Sequence, residues 1–500
     1  MYAFPCRVIC YLLLFSATAF AQADRPRTVV TTDGEIDDVD SFIRLLLYAN
    51  EMQLEGLVYS SSMWHYKGDG KGTTRVSEMP MTRDMYGERE SLRWPGEEWM
   101  QGLIADYAEV YPSLSTHAEG YPDPDSLLAR VRVGNIDFEG EMDTDTEGSN
   151  LIRELLLDGD TTTLYLQAWG GTNTIARALK SIEDTYADTP EWNAIYARVV
   201  GKAVLYLIMD QDATYRNYVA RQWPDLPVIL NGRQFGGLAY NGQKAVPEPL
   251  QVWLEGDFME ERILHGHGPL TAAYYSYGDG QQQEGDPEHV HGDSTRLDSA
   301  QWGSFQPFDF VSEGDSPAFL HLIDVGLGSL THPEWGGWAG RMVPSDSVPA
   351  RYEDGAAVAD YNPFSGRPDP LYPQTRWIPA LQNDFAARAS WCVMPYDSAN
   401  HAPVVALEGA VERTVARRDK VKLRVQAEDP DGDTLSYHWF QYGEADSYPG
   451  EAMIVFQDEW AIVTVPNDIT PGQTLNFIIE VTDGGTPSIT RYARVVLTAG

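Results

Sequence analysis

Cysteine is almost absent: three occur in 500 residues, at positions 6, 10 and 392. Cys6 and Cys10 fall in a leader-like segment, so a mature chain keeps Cys392 alone and forms no intrachain disulfide. Stability then has to come from a core, from bound ions, or from both. Positive charge is also scarce, with 36 Lys+Arg against 74 Asp+Glu and a net charge of -38. Such a surface repels phosphate backbones and anionic bilayers, so no nucleic-acid polymer is expected as a partner. After residue 20 no stretch approaches the roughly 20 apolar residues that a membrane span needs. A serine nucleophile elbow, a phosphate-binding glycine loop and short internal repeats are all missing.

What is present begins with Arg7, an apolar run from Val8 to Phe20 and a small-x-small site at Ala19-Phe20-Ala21. This reads as a cleavable signal peptide over residues 1–21 and predicts a secreted or periplasmic protein. With 43% hydrophobic and 22% charged residues, the composition is globular. The length exceeds one ordinary domain.

Strand and helix patterns alternate through the first two thirds of the chain. Arg27–Thr31, Leu54–Ser61, Thr162–Ala168, a segment within Arg198–Met209 and Leu226–Leu230 read as strands. Ser41–Ala49, Ile175–Leu179 and Asp212–Gln222 read as helices. Strands alternating with helices predict an α/β fold with a doubly wound, mostly parallel sheet over residues 25–400. Residues 236–311 are rich in Gly, Tyr, Gln and His and predict long loops over one end of that sheet. A helix is expected from Ser316, and the Trp- and Pro-rich stretch 332–372 is expected to be irregular. From 402 to 500, short strands at Lys420–Gln426, Leu435–Gln441, Ala461–Val465, Asn476–Val481 and Arg491–Leu497 predict an all-β, immunoglobulin-like sandwich.

The chemistry concentrates in Thr32-Asp33-Gly34-Glu35-Ile36-Asp37-Asp38, between the first strand and its helix, where open α/β sheets bind ligands. Three carboxylates within six residues repel one another unless a cation neutralises them, and oxygen donors favour Ca²⁺ or Mg²⁺. The alternative is that Asp37 and Asp38 cap the helix and complement its dipole, which leaves Asp33 unexplained.

This segment resembles the amino-terminal signature of the inosine/uridine-preferring nucleoside hydrolases, with its aspartates in the same positions. Trp169-Gly170-Gly171-Thr172-Asn173-Thr174-Ile175-Ala176 is similar to a second motif of that family, and Glu313-Gly314-Asp315-Ser316-Pro317 occupies the place of a third. A closer resemblance is to a secreted branch described as cellulose-binding proteins, in which a nucleoside-hydrolase-like domain precedes an immunoglobulin-like domain. It extends over Leu45–Asn50, Trp335-Gly336-Gly337-Trp338 and Asp429–Asp433.

The resemblance implies one Ca²⁺ held by the side chains of Asp33, Asp38 and Asp315 and by the Trp169 carbonyl. Asp33 would be the general base of an N-glycosyl hydrolase. Asp37, Trp64, His65 and Asn173 are the expected substrate-binding residues, with a small glycoside or a polysaccharide as ligand. Two departures stand out. Gly34-Glu35 replaces Pro-Gly, adding a carboxylate, and Gly314 stands where several relatives place a leaving-group histidine. The alternative function is a polysaccharide-binding protein with little or no catalysis.

Other candidates have bland counterparts. His265/His267 and His289/His291 form two His-x-His pairs in Gly-rich loops, read as solvated histidines rather than a metal site. Asp210-Gln211-Asp212 either lines the pocket or caps a helix. Trp335, Trp338 and Arg341 serve either the site or ordinary packing, and Cys392 reads as buried and inert. Asp429-Pro430-Asp431-Gly432-Asp433 reads as a turn, with calcium as the sharper alternative. Tyr437, Trp439, Phe440 and Tyr442 divide between a core and a flat carbohydrate-binding face.

Overall fold

The computed structural model describes residues 25–500 apart from 241, 356 and 357, so the expected signal segment 1–21 lies outside the described residues. Eight strands form the central sheet: β1 Arg27–Thr32, β2 Gln53–Tyr59, β3 Val131–Val133, β4 Leu164–Ala168, β5 Ala203–Ile208, β6 Val228–Asn231, β7 Val343–Pro344 and β8 Arg351–Glu353. Their order is β3-β2-β1-β4-β5-β6-β8-β7, parallel except for the β7/β8 edge pair. The chain runs outward from β1 to β3 and then returns to the other side of β1, so the strand order reverses between β1 and β4. Loops leaving the carboxyl ends of these two strands therefore flank a crevice.

The helices covering the sheet are α1 Ile36–Leu47, α2 Trp99–His117, α3 Glu147–Leu157, α4 Asn173–Tyr186, α5 Trp192–Lys202, α6 Ser316–Leu320 and α7 Ile378–Trp391. Every residue of β1 is buried, as a central strand covered on both faces requires. Val30, Leu57 and Tyr59 join one core with Phe42, Ile104 and Phe385. Val29, Val58 and Leu164 join another with Ile152, Leu179 and Val199. The two-residue alternation along each strand thus feeds two separate layers.

Four helices, α2, α3, α5 and α7, have no counterpart in the sequence pattern. α2 carries Pro112 in its interior, and α7 buries polar Gln382, Asp384 and Arg388 beside its apolar residues. Neither shows a clean amphipathic stripe. Residues 332–372, expected to be irregular, supply β7, β8 and a hairpin pairing Asp360–Asn362 with Arg367–Asp369.

The carboxy-terminal part consists of β9 Val404–Leu407, β10 Glu412–Val415, β11 Lys420–Glu428, β12 Ser436–Gln441, β13 Met453–Gln457, β14 Trp460–Thr464, β15 Thr474–Thr482 and β16 Thr490–Ala499. They form two four-stranded sheets, β9-β11-β14-β13 and β10-β16-β15-β12. Leu423, Val425, Trp439, Phe477, Ile479 and Val495 share the core of this region. Trp439 is therefore core, and Tyr442, just past the strand, is buried against the first part of the chain, while Tyr437 and Phe440 are half-buried at the margins of the two cores.

Tyr442 belongs to a buried polar junction. Asp360 accepts from the Tyr442 hydroxyl at 2.5 Å, from Arg341 Nη2 at 2.7 Å and from Arg376 Nη1 at 3.2 Å. Arg491 reaches Asp384 at 2.7 Å, and Arg494 donates to the Gly336 carbonyl at 3.1 Å. Arg341, Trp335 and Trp338 are thus buried packing residues, with Arg341 committed to this junction. The Asp429–Asp433 segment is a turn: Asp429 Oδ1 accepts from the backbone N–H of Asp431 and of Asp433, each at 2.9 Å.

Asp431 also ends a chain of imidazoles. His117 Nε2 lies 2.8 Å from the Met394 carbonyl, His117 Nδ1 lies 3.0 Å from His401 Nε2, and His401 Nδ1 lies 3.0 Å from Asp431 Oδ1. Both ends are acceptors, so all three bonds form only when three of the four ring nitrogens carry hydrogen. A further proton sets N–H against N–H. Trp391 and Tyr396 stack on the pair. Burial first, and then His401, hold His117 below its usual range against the raising effect of the Met394 carbonyl and Asp431.

The folded imidazole takes up a proton less readily than an unfolded one, so the unfolded state binds more protons as pH falls below about 6.5, and stability falls with it. The contribution of His117 to the urea midpoint is expected to shrink between about pH 7.5 and pH 5. His117→Phe, which cannot titrate, should remove that contribution, and a midpoint whose pH dependence is identical in the variant would show that the His117–His401–Asp431 chain does not couple stability to pH.

Candidate functional site

The acidic loop leaves β1 at the crevice, and Asp315 arrives beside it from the start of α6. Carboxylate oxygens of Asp37, Asp38 and Asp315 lie within 4.8 Å of one another, and all three residues count among the buried or nearly buried floor of the site. The N-cap of α1 is Glu35, whose side chain makes no capping bond; Asp37 and Asp38 stand in the first turn, where they complement the helix dipole, while Asp33 lies outside the helix. Thr32 Oγ1 donates to Asp38 Oδ1 at 2.5 Å, and Ser312 Oγ to Asp37 Oδ2 at 3.4 Å.

What brings Asp315 into register is a buried ion pair two residues earlier. Arg44 of α1 meets Glu313 through Nε at 2.5 Å and Nη2 at 2.8 Å, with both side chains wholly inaccessible to solvent. Tyr274 and Ser316 hydroxyls also donate to Glu313, at 2.6 and 2.7 Å.

Burial, reinforced by neighbouring carboxylates, pushes Asp37, Asp38 and Asp315 well above the usual range. Asp33 behaves oppositely. Burial alone would raise it, but pairing with His65 holds it below its ordinary value. His65 Nδ1 lies 3.4 Å from Asp33 Oδ2, and its Nε2 lies 3.7 Å from Asp286. Burial works against this imidazolium, yet Asp286 and Asp33 together lift its pKa to about 9. Asp33 is 2% exposed, and its Oδ2 has no hydrogen-bond partner among the described residues. Clustered buried carboxylates with one unpartnered oxygen are the donor set that fits a hard divalent cation.

A cavity of about 620 Å³ opens onto these groups. Trp64 lines it, set edge-on to Tyr86 with ring centroids 6.4 Å apart. Asp33, Asp37, Asp38, Asp315, Trp64 and Trp169 are brought together here. Two expected substrate-binding residues are not. His65 is wholly buried behind Asp33, because its two carboxylate partners draw it inward rather than to the pocket mouth. Asn173 spends its side-chain amide on Ser61, Asn135 and Glu141, with Ser60 donating to its oxygen, and so fastens α4 to the neighbouring loops. The Trp169 carbonyl accepts from Gln211 Nε2 at 2.6 Å. Asp212 accepts from the backbone of Asn173 and of Thr214, both at 3.0 Å, which is capping, whereas Gln211 lines the cavity.

His289 and His291 are not solvated. The segment from 276 to 302 folds back over the cavity and carries both rings into its wall. Arg93 fastens that segment, donating to Asp286 through Nε at 3.0 Å and Nη2 at 2.8 Å, with Glu35 3.5 Å away. The Tyr240 hydroxyl donates to Glu35 at 3.0 Å. Arg93, Tyr240 and Asp286 belong to no motif, and their distance along the chain from the acidic loop leaves no local signal for them.

Gly314 has a steric reason. A β-carbon there would lie 2.6 Å from Asp37 Oδ2, so any side chain displaces that carboxylate. Gly314→Ala pushes Asp37 toward Asp38 and Asp315 and is expected to lower the affinity for a divalent cation about 10–100-fold by calorimetric titration, with little loss of stability; unchanged affinity would show that the placement of Asp37 does not bear on the cation. Arg44→Met leaves Glu313 buried without its counter-charge and is expected to cost about 3–5 kcal/mol in urea unfolding. A loss under about 1 kcal/mol would show that the pair is dispensable.

Residues 27–342 match the family model described as cellulose-binding Sde182, nucleoside hydrolase-like domain. Residues 420–499 match that of the cellulose-binding protein Sde0182, C-terminal domain. Among solved structures, the chain is similar to a nucleoside hydrolase-related hypothetical protein from Saccharophagus degradans, described as associated with carbohydrate metabolism. That match has 25% identity and a TM-score of 0.69, over 95% of this chain and 100% of the other. A plant nucleoside hydrolase, PpNRh1, aligns at 9% identity and a TM-score of 0.32 over 73% of this chain and 99% of that one. No curated protein sequence matches significantly. The chain belongs to the Sde182 family of cellulose-binding proteins with a nucleoside hydrolase-like domain.

Proposed function

We propose that the protein is a secreted, calcium-dependent hydrolase of N-glycosyl compounds of the ribosyl type. The observation carrying this reading is Asp33: buried, kept ionised by His65, whose Nδ1 stands 3.4 Å from Oδ2 without a formed hydrogen bond, and set beside a cavity large enough for a small glycoside. A general base needs a carboxylate in that state within reach of water.

In this reading Asp33 takes a proton from the attacking water, and Asp37 accepts a hydrogen from a sugar hydroxyl. Asp33, Asp38, Asp315 and the second lone pair of the Trp169 carbonyl hold the cation, for which an all-oxygen donor set favours Ca²⁺. When bound, the ion supplies Lewis acidity toward water and anchors hydroxyls. The negative floor favours positive charge developing on the sugar ring as the glycosyl bond breaks. Trp64 offers a ring face for stacking.

The family description favours a second reading, in which the protein binds cellulose or another cell-wall polysaccharide with little or no catalysis. No helix among the described residues is long and apolar enough to cross a membrane.

Release of reducing sugar from a panel of nucleosides, with Ca²⁺ and then with chelator, separates the two. The hydrolase reading expects chelator-sensitive release and a fall in kcat of about 10²–10⁴-fold in Asp33→Asn, with folding retained. A folded, calcium-loaded protein that releases no sugar yet sediments with cellulose in chelator would establish the binding reading instead.

A further inference from the structure

His289 is one of three groups in the cavity wall, with Tyr277 and His291, that the proposed chemistry leaves unused and that each bury a polar atom without a hydrogen-bond partner among the described residues. It is 3% exposed, and its ring lines the cavity. The backbone N–H of Gln283 donates to His289 Nδ1 at 2.8 Å. A backbone N–H only donates, so Nδ1 carries the lone pair and the ring hydrogen resides on Nε2. That Nε2–H is buried without a hydrogen-bond partner among the described residues. Burial pushes the imidazole down to about 4, with Arg93 lowering it further and Asp286 opposing, so the ring is neutral near pH 7.

The two ends of the cavity therefore have opposite hydrogen-bonding character. The floor presents carboxylates, which accept and call for hydroxyl hydrogens or a cation. The 276–302 segment presents an N–H with nothing to donate to. Between them stand Trp64, Tyr86, Tyr277 and Trp302. The cationic side chains in the wall are already paired, Arg93 with Asp286 and Glu35, and Arg296 with Asp293. The carboxylates of the floor repel a phosphate carried on the sugar.

We propose that His289 is the donor that receives the leaving group, and that the ligand is bipolar: hydroxyl-rich at the acidic floor, with an uncharged, flat aromatic group bearing an acceptor atom at His289. The proposal rests on the hydrolase reading of the same site. As the anomeric C–N bond breaks, a C–O bond forms to water, whose proton passes to Asp33. The electrons of the broken bond stay on the departing ring nitrogen, and His289 shares its Nε2 hydrogen with an acceptor atom of that ring without giving it up. The departing nitrogen takes its proton from solvent on release. A neutral imidazole suits this role, because it donates without having to be recharged.

The test uses the full chain with Ca²⁺ and a nucleoside that the native protein cleaves, comparing His289→Phe, which removes the donor, with His289→Gln, which keeps an amide donor. His289→Phe is expected to raise KM, and the Ki of the free base, about tenfold or more, the size of a single hydrogen bond. The Ki of free ribose should stay unchanged, and His289→Gln should recover most of the loss. Thermal melts of both variants check that folding is intact. A 5′-phosphorylated nucleoside is expected to be a poor substrate. Equal weakening of ribose and base, or an unaffected His289→Phe in a protein that does cleave nucleosides, overturns the proposal and leaves the hydrolase reading standing. A native protein that cleaves no N-glycoside removes both.

Discussion

The site depends on one contact between distant parts of the chain, the Arg44–Glu313 pair. Arg44 lies on the helix that leaves the acidic loop, and Glu313 stands two residues before Asp315. Their fully desolvated attraction draws together segments that the negative charge of the cluster would otherwise drive apart. The floor of the cavity is thus a strained electrostatic arrangement held by a counter-charge outside it. Tyr274 and Ser316 complete the shell around Glu313, so the pair is hydrogen-bonded as well as charged. Asp33 is balanced separately, through His65 and Asp286, and this explains why it stays ionised while its neighbours are pushed toward their neutral forms.

Much of this was legible in the residues. The strand-loop-helix rhythm located β1, β2, β4, β5 and β6, since parallel strands buried on both faces are short, continuous apolar runs. The acidic loop could be read because its carboxylates are adjacent in sequence and lie at a strand end. Asp315 required a resemblance, because nothing local marks it apart from Asp293 in the similar Gly-Asp-Ser of 292–294. The rest was hidden for physical reasons. α7 folds its charged residues inward, so its pattern carries no polar face. His65 looked like a pocket residue from its position after β2, but carboxylates on both sides capture it. Asn173 looked like a ligand contact, yet four backbone and side-chain groups compete for its amide.

The two histidines of 289–291 teach a related lesson. Gly-rich surroundings suggested open loops, and in composition they are. The packing of 276–302 over the crevice is imposed from outside, by Arg93 on Asp286 and by Gln283 donating to the Gly34 carbonyl at 2.6 Å. Loop composition predicts irregular backbone but says nothing about what that backbone covers.

The junction around Asp360 bears on how this protein could change over evolutionary time. β-sandwich modules are often treated as interchangeable beads, yet this one presents Tyr442, Arg491 and Arg494 to a partner surface already shaped for them. Transplanted alone, it would bring those groups into water or into a host with no matching acceptors. Recombination between α7 and β9 is therefore disfavoured, and the two halves are expected to diverge as a single unit of inheritance, with changes at Asp360 constrained by residues some eighty positions downstream.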